Sequence, residues 1–153
     1  MSTSADFNGT GRIDHIGVVV SDTAAAIELY GQLFGLSAEA SIEHAGEGVR
    51  ITFLRPRLPD SAATTVELLE PTRDETGIAR YLAKRGEGMH HICFEVDDVQ
   101  AEIARLTAAG YEVLDNQPRR GMHGERLAFI HPRSGRGVLT ELYERDSRQI
   151  APS

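Results

Sequence analysis

The sequence is poor in the features that mark secreted, membrane and nucleic-acid-binding proteins. Its single cysteine, Cys93, excludes a disulfide framework within the chain and suits a reducing compartment. No apolar run approaches the roughly 20 residues of a membrane span, and residues 1–11 lack the basic start and apolar core of a signal peptide. The net charge of −7 argues against nonspecific nucleic-acid binding, which needs a basic face. We therefore expect a soluble, cytoplasmic protein with neither nucleic acid nor membrane as a partner.

The length bounds the number of domains. A chain of 153 residues with 41% hydrophobic content is enough for one ordinary compact core, and a second independent domain is not expected. We predict a single domain over residues 12–144. A disordered N-terminal tail, 1–11, would precede it, and a C-terminal tail, 145–153, would follow it.

The chain contains two copies of one pattern. The run IDHIGVVVSD at 13–22 returns, altered, as MHHICFEVDD at 89–98. In each copy an apolar strand carries a histidine and ends at a Ser-Asp or Asp-Asp pair that can cap a following helix. Farther along, TVELLE at 65–70 returns as LTELYE at 139–144. The sequence therefore consists of two modules, each of which contributes one histidine and one glutamate.

Hydrophobic periodicity and turn residues predict the order β-α-β-β-β in each module. The modules occupy 12–71 and 88–144 and are joined by a helical linker at 72–87. Strands are predicted at 13–20, 39–42, 49–54 and 64–69, and again at 89–96, 112–114, 127–130 and 138–143, with helices at 22–34, 76–85 and 98–109. The expected fold class is α+β, with two tandem βαβββ modules forming one curled mixed β-sheet cleft.

Strand parity predicts where the histidines point. Side chains alternate between the two faces of a strand, so His15 shares a face with Gly17 and Val19. The opposite face carries Val18 and Val20, which can pack against the helix of the same module. His91 stands at the matching position of the second module. Each module should therefore have one face covered by its helix and another that carries the histidine and the glutamate.

These open faces predict a metal site if they curl into one cleft, because His15, Glu67, His91 and Glu141 would then converge. Two imidazoles and two carboxylates suit a borderline divalent metal, with coordination positions left for water or substrate. Taken singly, each residue is better explained as a hydrogen-bonded core histidine or an ordinary strand glutamate than as a metal ligand. Repeated glutamates within apolar strands would, however, bury charge without a partner, which is costly. We expect one divalent ion per chain, drawn from cobalt, manganese, nickel and zinc.

Basic residues are unevenly distributed. Residues 1–75 hold 5 basic and 12 acidic side chains, whereas the stretch 118–137 has five arginines against Glu125 alone. Arginine binds phosphate as a planar fork, so this stretch could receive an anionic ligand tail. Arg119, Arg120 and Arg126 are the candidates for substrate binding, and a solvated loop is the alternative.

Four sequence blocks carry a family resemblance: IDHIG at 13–17, VELLEPT at 66–72, GEGMHHI at 86–92 and HPRSGRGVLTEL at 131–142. Together they resemble the methylmalonyl-CoA epimerases, a family of the vicinal oxygen chelate superfamily, over roughly residues 12–144. The resemblance implies that His15, His91 and Glu141 are metal ligands. It places Glu67 at a position that is glutamine in some members and glutamate in others. Members with glutamine there can carry a glutamate, taken as a catalytic base, on the strand that corresponds to 49–54, and the matching residue here is Ile51.

The resemblance implies epimerisation of (2R)- and (2S)-methylmalonyl-CoA, with an acyl-CoA as substrate and a homodimer as the assembly. Proton loss from the α-carbon places negative charge on the thioester oxygen, which a metal stabilises as a Lewis acid. Inversion requires an acid/base group on each side of that carbon. Glu141 is the first candidate for this role and Glu67 the second.

Three alternatives remain open at this point. A glyoxalase I type lactoylglutathione lyase also uses a His-Glu-His-Glu metal site. An epimerase for ethylmalonyl-CoA or another branched acyl-CoA leaves no separate sequence signature, because one methylene in a pocket is worth only ~1–3 kcal/mol. A metal-free small-molecule-binding protein of the same fold, such as one that sequesters an antibiotic, would have no need of four ligands in register.

Overall fold

The computed structural model describes residues 6–60 and 62–145, so most of the C-terminal tail predicted at 145–153 and the first five residues of the N-terminal tail predicted at 1–11 lie outside the described residues. Nine strands and three helices are present within these ranges. The strands are β1 (Gly9–Val19), β2 (Ser37–Ala38), β3 (Ile42–His44), β4 (Val49–Arg55), β5 (Thr65–Pro71), β6 (Gly88–Val96), β7 (Arg119–Arg120), β8 (Arg126–Ile130) and β9 (Thr140–Glu144). The helices are α1 (Thr23–Phe34), α2 (Gly77–Arg85) and α3 (Val99–Ala108). None of the described helices is long and apolar enough to cross a membrane.

The chain divides into two compact units. The first unit is Asp14–His90, and the second comprises the residues up to Ile13 together with those from His91 onward. In the first unit β1 pairs in parallel with β5, and β5 pairs antiparallel with β4. In the second unit β6 pairs in parallel with β9, and β9 pairs antiparallel with β8. The predicted α+β class, with a mixed sheet built from two βαβββ modules, is confirmed.

The acidic residues that end the repeated strands cap the helices, as predicted. The side chain of Asp22 accepts a hydrogen bond from the Ala25 amide at 3.0 Å, and that of Asp98 accepts one from the Ala101 amide at 3.0 Å. Helix α1 ends at Gly35, whose φ of 68° lies in the left-handed region that glycine adopts without strain. Both helices are therefore placed directly after the histidine-bearing strands.

The packing of the two units confirms the predicted strand parity. Val18 and Val20 pack with α1 through Ala26, in a cluster that includes Leu54 and Leu68. In the second unit α3 contributes Val99, Ile103 and Leu106 to a core with Val96, Ala128 and Leu142. In each unit the histidine lies on the strand face opposite the one that packs on this helix.

Strand β1 starts at Gly9, so the prediction of a disordered tail over 1–11 is wrong for residues 9–11. The amide of Asn8 donates to the carboxylate of Glu102 at 2.9 Å, and Arg12 donates to the buried carboxylate of Glu95 through both Nε and Nη2. These contacts tie residues 8–12 to the second unit. Because these contacts join residues far apart in sequence, no local sequence pattern predicts them.

The predicted linker helix is part of the first unit. Ile78, Tyr81 and Leu82 of α2 pack against a buried cluster of Val19, Val49 and Leu69. The apolar side chains of α2 therefore pack on a surface within their own unit. That the two units form one domain stays a prediction.

The short strands differ from the prediction. In place of one strand at 39–42, the structure has β2 and β3, which both pair with β4. The strand predicted at 112–114 is only a single bridge between Val113 and Ile130, and β7 is a strand that the sequence did not predict. Two-residue strands carry too little periodicity to be read from sequence.

The loop between β3 and β4 requires glycine at position 48. Gly48 has a φ of 63°, and an added Cβ would lie 2.5 Å from the Thr76 methyl group and 2.7 Å from Nε of Arg73. We expect Gly48→Ala to lower the free energy of unfolding by about 1–3 kcal/mol, the usual cost of such backbone strain. Urea denaturation measures the change.

A matched control is Gly77→Ala at the start of α2. An added Cβ there meets nothing within 4 Å. We expect it to change the free energy of unfolding by less than about 0.5 kcal/mol. A loss as large in this control as in Gly48→Ala would contradict the backbone explanation.

Candidate metal centre

In the first unit, the pairing of β1 with β5 brings a histidine and a glutamate together. The parallel register sets Gly17 beside Glu67, and His15 lies two residues earlier on the same face of β1. Nε2 of His15 is 3.3 Å from Oε2 of Glu67, and both side chains are buried. The first unit therefore holds one of the two predicted His-Glu pairs.

The second unit repeats this arrangement with the same register. Cys93 lies beside Glu141, and His91 lies two residues before Cys93. Nε2 of His91 is 2.9 Å from Oε2 of Glu141, and both side chains are again buried. Cys93 takes the position of Gly17 and is a buried thiol. The duplication seen in the sequence thus extends to the register of the pairs.

Asp14 orients the first histidine. Its Oδ2 is 2.8 Å from Nδ1 of His15, so the imidazole donates from Nδ1 when it is neutral. Nε2 then presents a lone pair to the carboxylate of Glu67, an arrangement that calls for a proton or a cation between the two atoms. In metal sites a ligating histidine commonly donates its other ring N–H to a carboxylate, which fixes the orientation of the ring. The donor set in this unit therefore fits a divalent cation.

Each His-Glu pair has a phenylalanine beside it, which sequence reasoning missed. The ring of Phe53 packs edge-on against His15, with centroids 5.8 Å apart, and Phe53 lies opposite Glu67 on β4. Phe129 packs against His91 at 6.0 Å and lies opposite Glu141 on β8. The separation of Phe53 from Phe129 equals that of His15 from His91, so the repeat already contained the signal.

Position 51 offers no acid/base group. Ile51 packs on the buried cluster of Val19, Val49 and Leu69, on the strand face that also carries Phe53. Its cross-strand neighbour on β5 is Leu69. Some members of the resembling family carry a glutamate at this position. The isoleucine found here lies in an apolar environment, which suits it.

The three candidate arginines have different surroundings. Nε of Arg119 donates to Asp115, and its guanidinium lies over the ring of Phe129 at 5.4 Å. Arg120 is exposed and donates from Nη1 to the carbonyl oxygen of Gly124 at 2.9 Å.

Arg126 forms an ion pair that the first unit repeats. Nη1 of Arg126 donates to Glu144 at 3.3 Å, and the other oxygen of Glu144 accepts from the Val99 amide at the start of α3. In the first unit Arg50 donates to Glu70 at 3.0 Å, and Glu70 accepts from the Thr23 amide at the start of α1. A structural role common to both units therefore accounts for Arg126.

Comparison with known proteins places these features in a family context. Residues 14–129 match the model of the glyoxalase/bleomycin resistance protein/dioxygenase superfamily. The chain is 37% identical over 134 residues to the ethylmalonyl-CoA/methylmalonyl-CoA epimerase of Cereibacter sphaeroides, with 86% of this chain and 96% of that protein covered.

Two solved structures are similar in fold as well as in sequence. One is a variant of the methylmalonyl-CoA epimerase of Streptomyces coelicolor in complex with 2-nitronate-propionyl-CoA. It is 40% identical with a TM-score of 0.79, and 88% of this chain and 97% of that chain are covered. The other is the methylmalonyl-CoA epimerase of Mycobacterium tuberculosis, which is 34% identical with a TM-score of 0.80, covering 97% of this chain and 93% of that one.

Proposed function

The chain belongs to the glyoxalase/bleomycin resistance protein/dioxygenase superfamily, and from that premise we propose that it is a methylmalonyl-CoA epimerase. It interconverts the (2R) and (2S) forms by removing and returning the proton at the thioester α-carbon. The observation that carries the proposal is the pair of buried His-Glu contacts in matching register, 3.3 Å and 2.9 Å, in a chain whose relatives are epimerases. The substrate is accordingly an acyl-CoA.

The two His-Glu pairs are proposed to form one site for a divalent ion, with His15, Glu67, His91 and Glu141 as ligands. Support comes from the identical register of the pairs, the burial of all four side chains and the hydrogen bond from His15 to Asp14. A bound ion would supply Lewis-acid stabilisation of the charge that develops on the thioester oxygen. Cobalt, manganese, nickel and zinc all suit this nitrogen and oxygen donor set.

The two glutamates are proposed to carry the proton. Each glutamate is buried and lies directly opposite a phenylalanine on the neighbouring strand. Glu141 takes the proton from one isomer and stays protonated, while a protonated Glu67 delivers its own proton to the opposite side of the carbon, as a two-base inversion requires. The two glutamates exchange these roles in the reverse direction. Because Ile51 cannot transfer a proton, Glu67 takes the role that a glutamate at that position would have. Glu47, in the loop before β4, is the fallback second base.

The CoA phosphates are proposed to bind at Arg120. Its side chain is exposed, and among the described residues its one hydrogen-bond partner is the backbone carbonyl of Gly124 in the same hairpin. Arg126 is less suited, because Glu144 already neutralises its charge. The lone cysteine is a buried thiol, which accords with the proposed cytoplasmic location.

Stereochemical conversion tests the proposed function. Pure (2R)-methylmalonyl-CoA is incubated with the protein, and the two epimers, which are diastereomers because CoA is chiral, are separated by chromatography. We expect the (2S) form to appear until the two are nearly equal. Ethylmalonyl-CoA tests the breadth of the acyl pocket, and the hemithioacetal of methylglyoxal with glutathione tests the lyase alternative. Turnover of the hemithioacetal without epimerisation would overturn the proposal.

A homodimer is also proposed, through the exposed apolar face of α1. Leu33 and Phe34 at the end of this helix are 60% and 65% exposed, and Leu29 lies one turn earlier. Contiguous exposed apolar side chains mark interaction surfaces. We expect sedimentation velocity to show a dimer for the wild type and a monomer for Leu33→Asp.

The control for this prediction is Leu58→Asp, since Leu58 is equally exposed but lies between β4 and β5. It should leave the dimer intact. A wild-type chain that sediments as a monomer at all concentrations would contradict the assignment, and so would a dimer that Leu33→Asp does not weaken.

A further inference from the structure

The three candidate arginines do not lie on the same face of the sheet in the second unit. Arg119 lies opposite Leu127 in the pairing of β7 with β8, and Leu127 shares a face of β8 with Phe129. Phe129 in turn lies opposite Glu141 and packs against His91. Arg119 is therefore on the face that carries the His91–Glu141 pair.

Arg120 and Arg126 lie on the opposite face. They are cross-strand neighbours, and Arg126 shares its face of β8 with Ala128, which is buried in the core formed with α3. Alternation along the two strands thus separates Arg119 from the other two residues. Of the three arginines, only Arg119 lies on the face from which a side chain can contact a ligand bound at His91.

The guanidinium of Arg119 is held at one edge. Its Nε donates to Oδ1 of Asp115, and Oδ2 of Asp115 accepts from the Phe129 amide at 2.8 Å. The Asp115 side chain is only 9% exposed, so the anchor is fixed to the backbone of β8. The guanidinium also rests on the Phe129 ring, 5.4 Å from its centroid. The hydrogen bond to Asp115 and the packing on Phe129 together fix the plane of the guanidinium, and only one of its nitrogens, Nε, is used for a side-chain hydrogen bond.

The other edge of the guanidinium is available to a ligand. Across the described part of the chain, neither terminal nitrogen of Arg119 has a hydrogen-bond partner, and its side chain is 51% exposed. A planar fork of N–H donors matches a carboxylate bidentately. Packing against an aromatic ring reduces the mobility that binding would otherwise have to remove.

Proximity to His91 decides which anion binds. The guanidinium and the His91 imidazole both pack against the Phe129 ring, at 5.4 Å and 6.0 Å from its centroid. In a malonyl thioester the carboxylate lies beside the reacting carbon, whereas the phosphates of CoA lie beyond the whole pantetheine chain. Resting on the proposed function, we propose that Arg119 binds the acyl carboxylate of the substrate. It thereby selects carboxylated acyl-CoA thioesters over simple ones.

Malonyl-CoA and acetyl-CoA form the test pair, because they differ only in the carboxylate and neither has an α-carbon to invert. Calorimetry measures the Kd of each for the wild type, Arg119→Ala and Arg119→Lys. We expect Arg119→Ala to weaken malonyl-CoA by about 10- to 100-fold, the range for a charge-assisted hydrogen bond, and acetyl-CoA by less than about twofold. Arg119→Lys should restore part of the loss, because lysine keeps the charge but not the fork.

Arg120→Ala is the matched variant from the same strand. It should weaken the two thioesters to the same degree, as a phosphate contact would. Equal weakening of both thioesters by Arg119→Ala would overturn the proposal, and so would no weakening of either. The experiment measures binding, so it does not depend on epimerase activity. A wild-type chain that fails to epimerise would refute the proposed function. The role of Arg119 would still be decided by how the variant changes the Kd for malonyl-CoA relative to the Kd for acetyl-CoA.

Discussion

Glu67→Gln should bind metal and yet lose epimerisation by at least the roughly 10²-fold typical of a removed general base. Glutamine keeps an oxygen that can serve as a ligand beside His15, and it removes only the basicity. Proton exchange at the α-carbon of one isomer should persist, because Glu141 remains intact. The measurements are metal content, the rate of epimer conversion and the rate of deuterium incorporation into each isomer.

Glu70→Gln on the same strand is the control. Glu70 binds Arg50 and the start of α1, so its loss should lower the free energy of unfolding while leaving the isomer selectivity of exchange unchanged. If Glu67→Gln inverts the substrate at a rate close to wild type, Glu67 is a ligand only. The second base would then have to be sought in the loop that holds Glu47.

His15→Ala and His91→Ala should each abolish stoichiometric metal binding. Each variant removes one imidazole, and with it one predicted ligand, from a buried His-Glu pair. We expect the metal content, measured by elemental analysis, to fall from roughly one ion per chain to well below that value. The reason is that the affinity of the site for metal depends on the complete ligand set. Epimerisation should fall in parallel, and added metal should restore it only in part.

His44→Ala and His131→Ala serve as controls, since these two histidines accept hydrogen bonds only from nearby backbone amides in the described contacts. Both should keep the metal content of the wild type. If His15→Ala and His91→Ala also keep it, the ligand set has been assigned to the wrong residues.

The features predicted well from the sequence are those set by local periodicity and by the repeat. Alternation along β1 was enough to separate Val18 and Val20, which pack on α1, from His15 on the other face. The helix caps at Asp22 and Asp98 were equally legible, because an acidic residue directly after a strand satisfies the first amides of a helix.

The features that were missed depend on contacts between distant parts of the chain. The early start of β1 depends on Arg12 reaching Glu95, and the inclusion of α2 in the first unit depends on a surface made by Val19 and Leu69. Neither contact leaves a local pattern. Phe129 is a different case. It follows Phe53 at the same separation as His91 follows His15, so the repeat in the sequence could have predicted it.

The number of arginines in a stretch of sequence does not show on which face of the sheet each one lies. Five arginines in one stretch predicted an anion-binding region, but a count of charges cannot assign faces. Strand pairing sets Arg119 on the face of His91 and Arg126 on the face of α3, where Glu144 binds it. The pairing of a two-residue strand with its neighbour decided this, and such strands are not visible in sequence.

Proton exchange in deuterated water tests the central claim, metal-dependent transfer of the α-proton, most directly. Methylmalonyl-CoA is followed by NMR with the metal-loaded protein, with the protein stripped by a chelator and with the stripped protein after metal is restored. The account predicts loss of the α-proton signal with the loaded protein, little loss above background after stripping, and recovery on reloading. An α-proton signal that persists with the fully loaded protein would contradict it, as would exchange that continues at an equal rate after stripping.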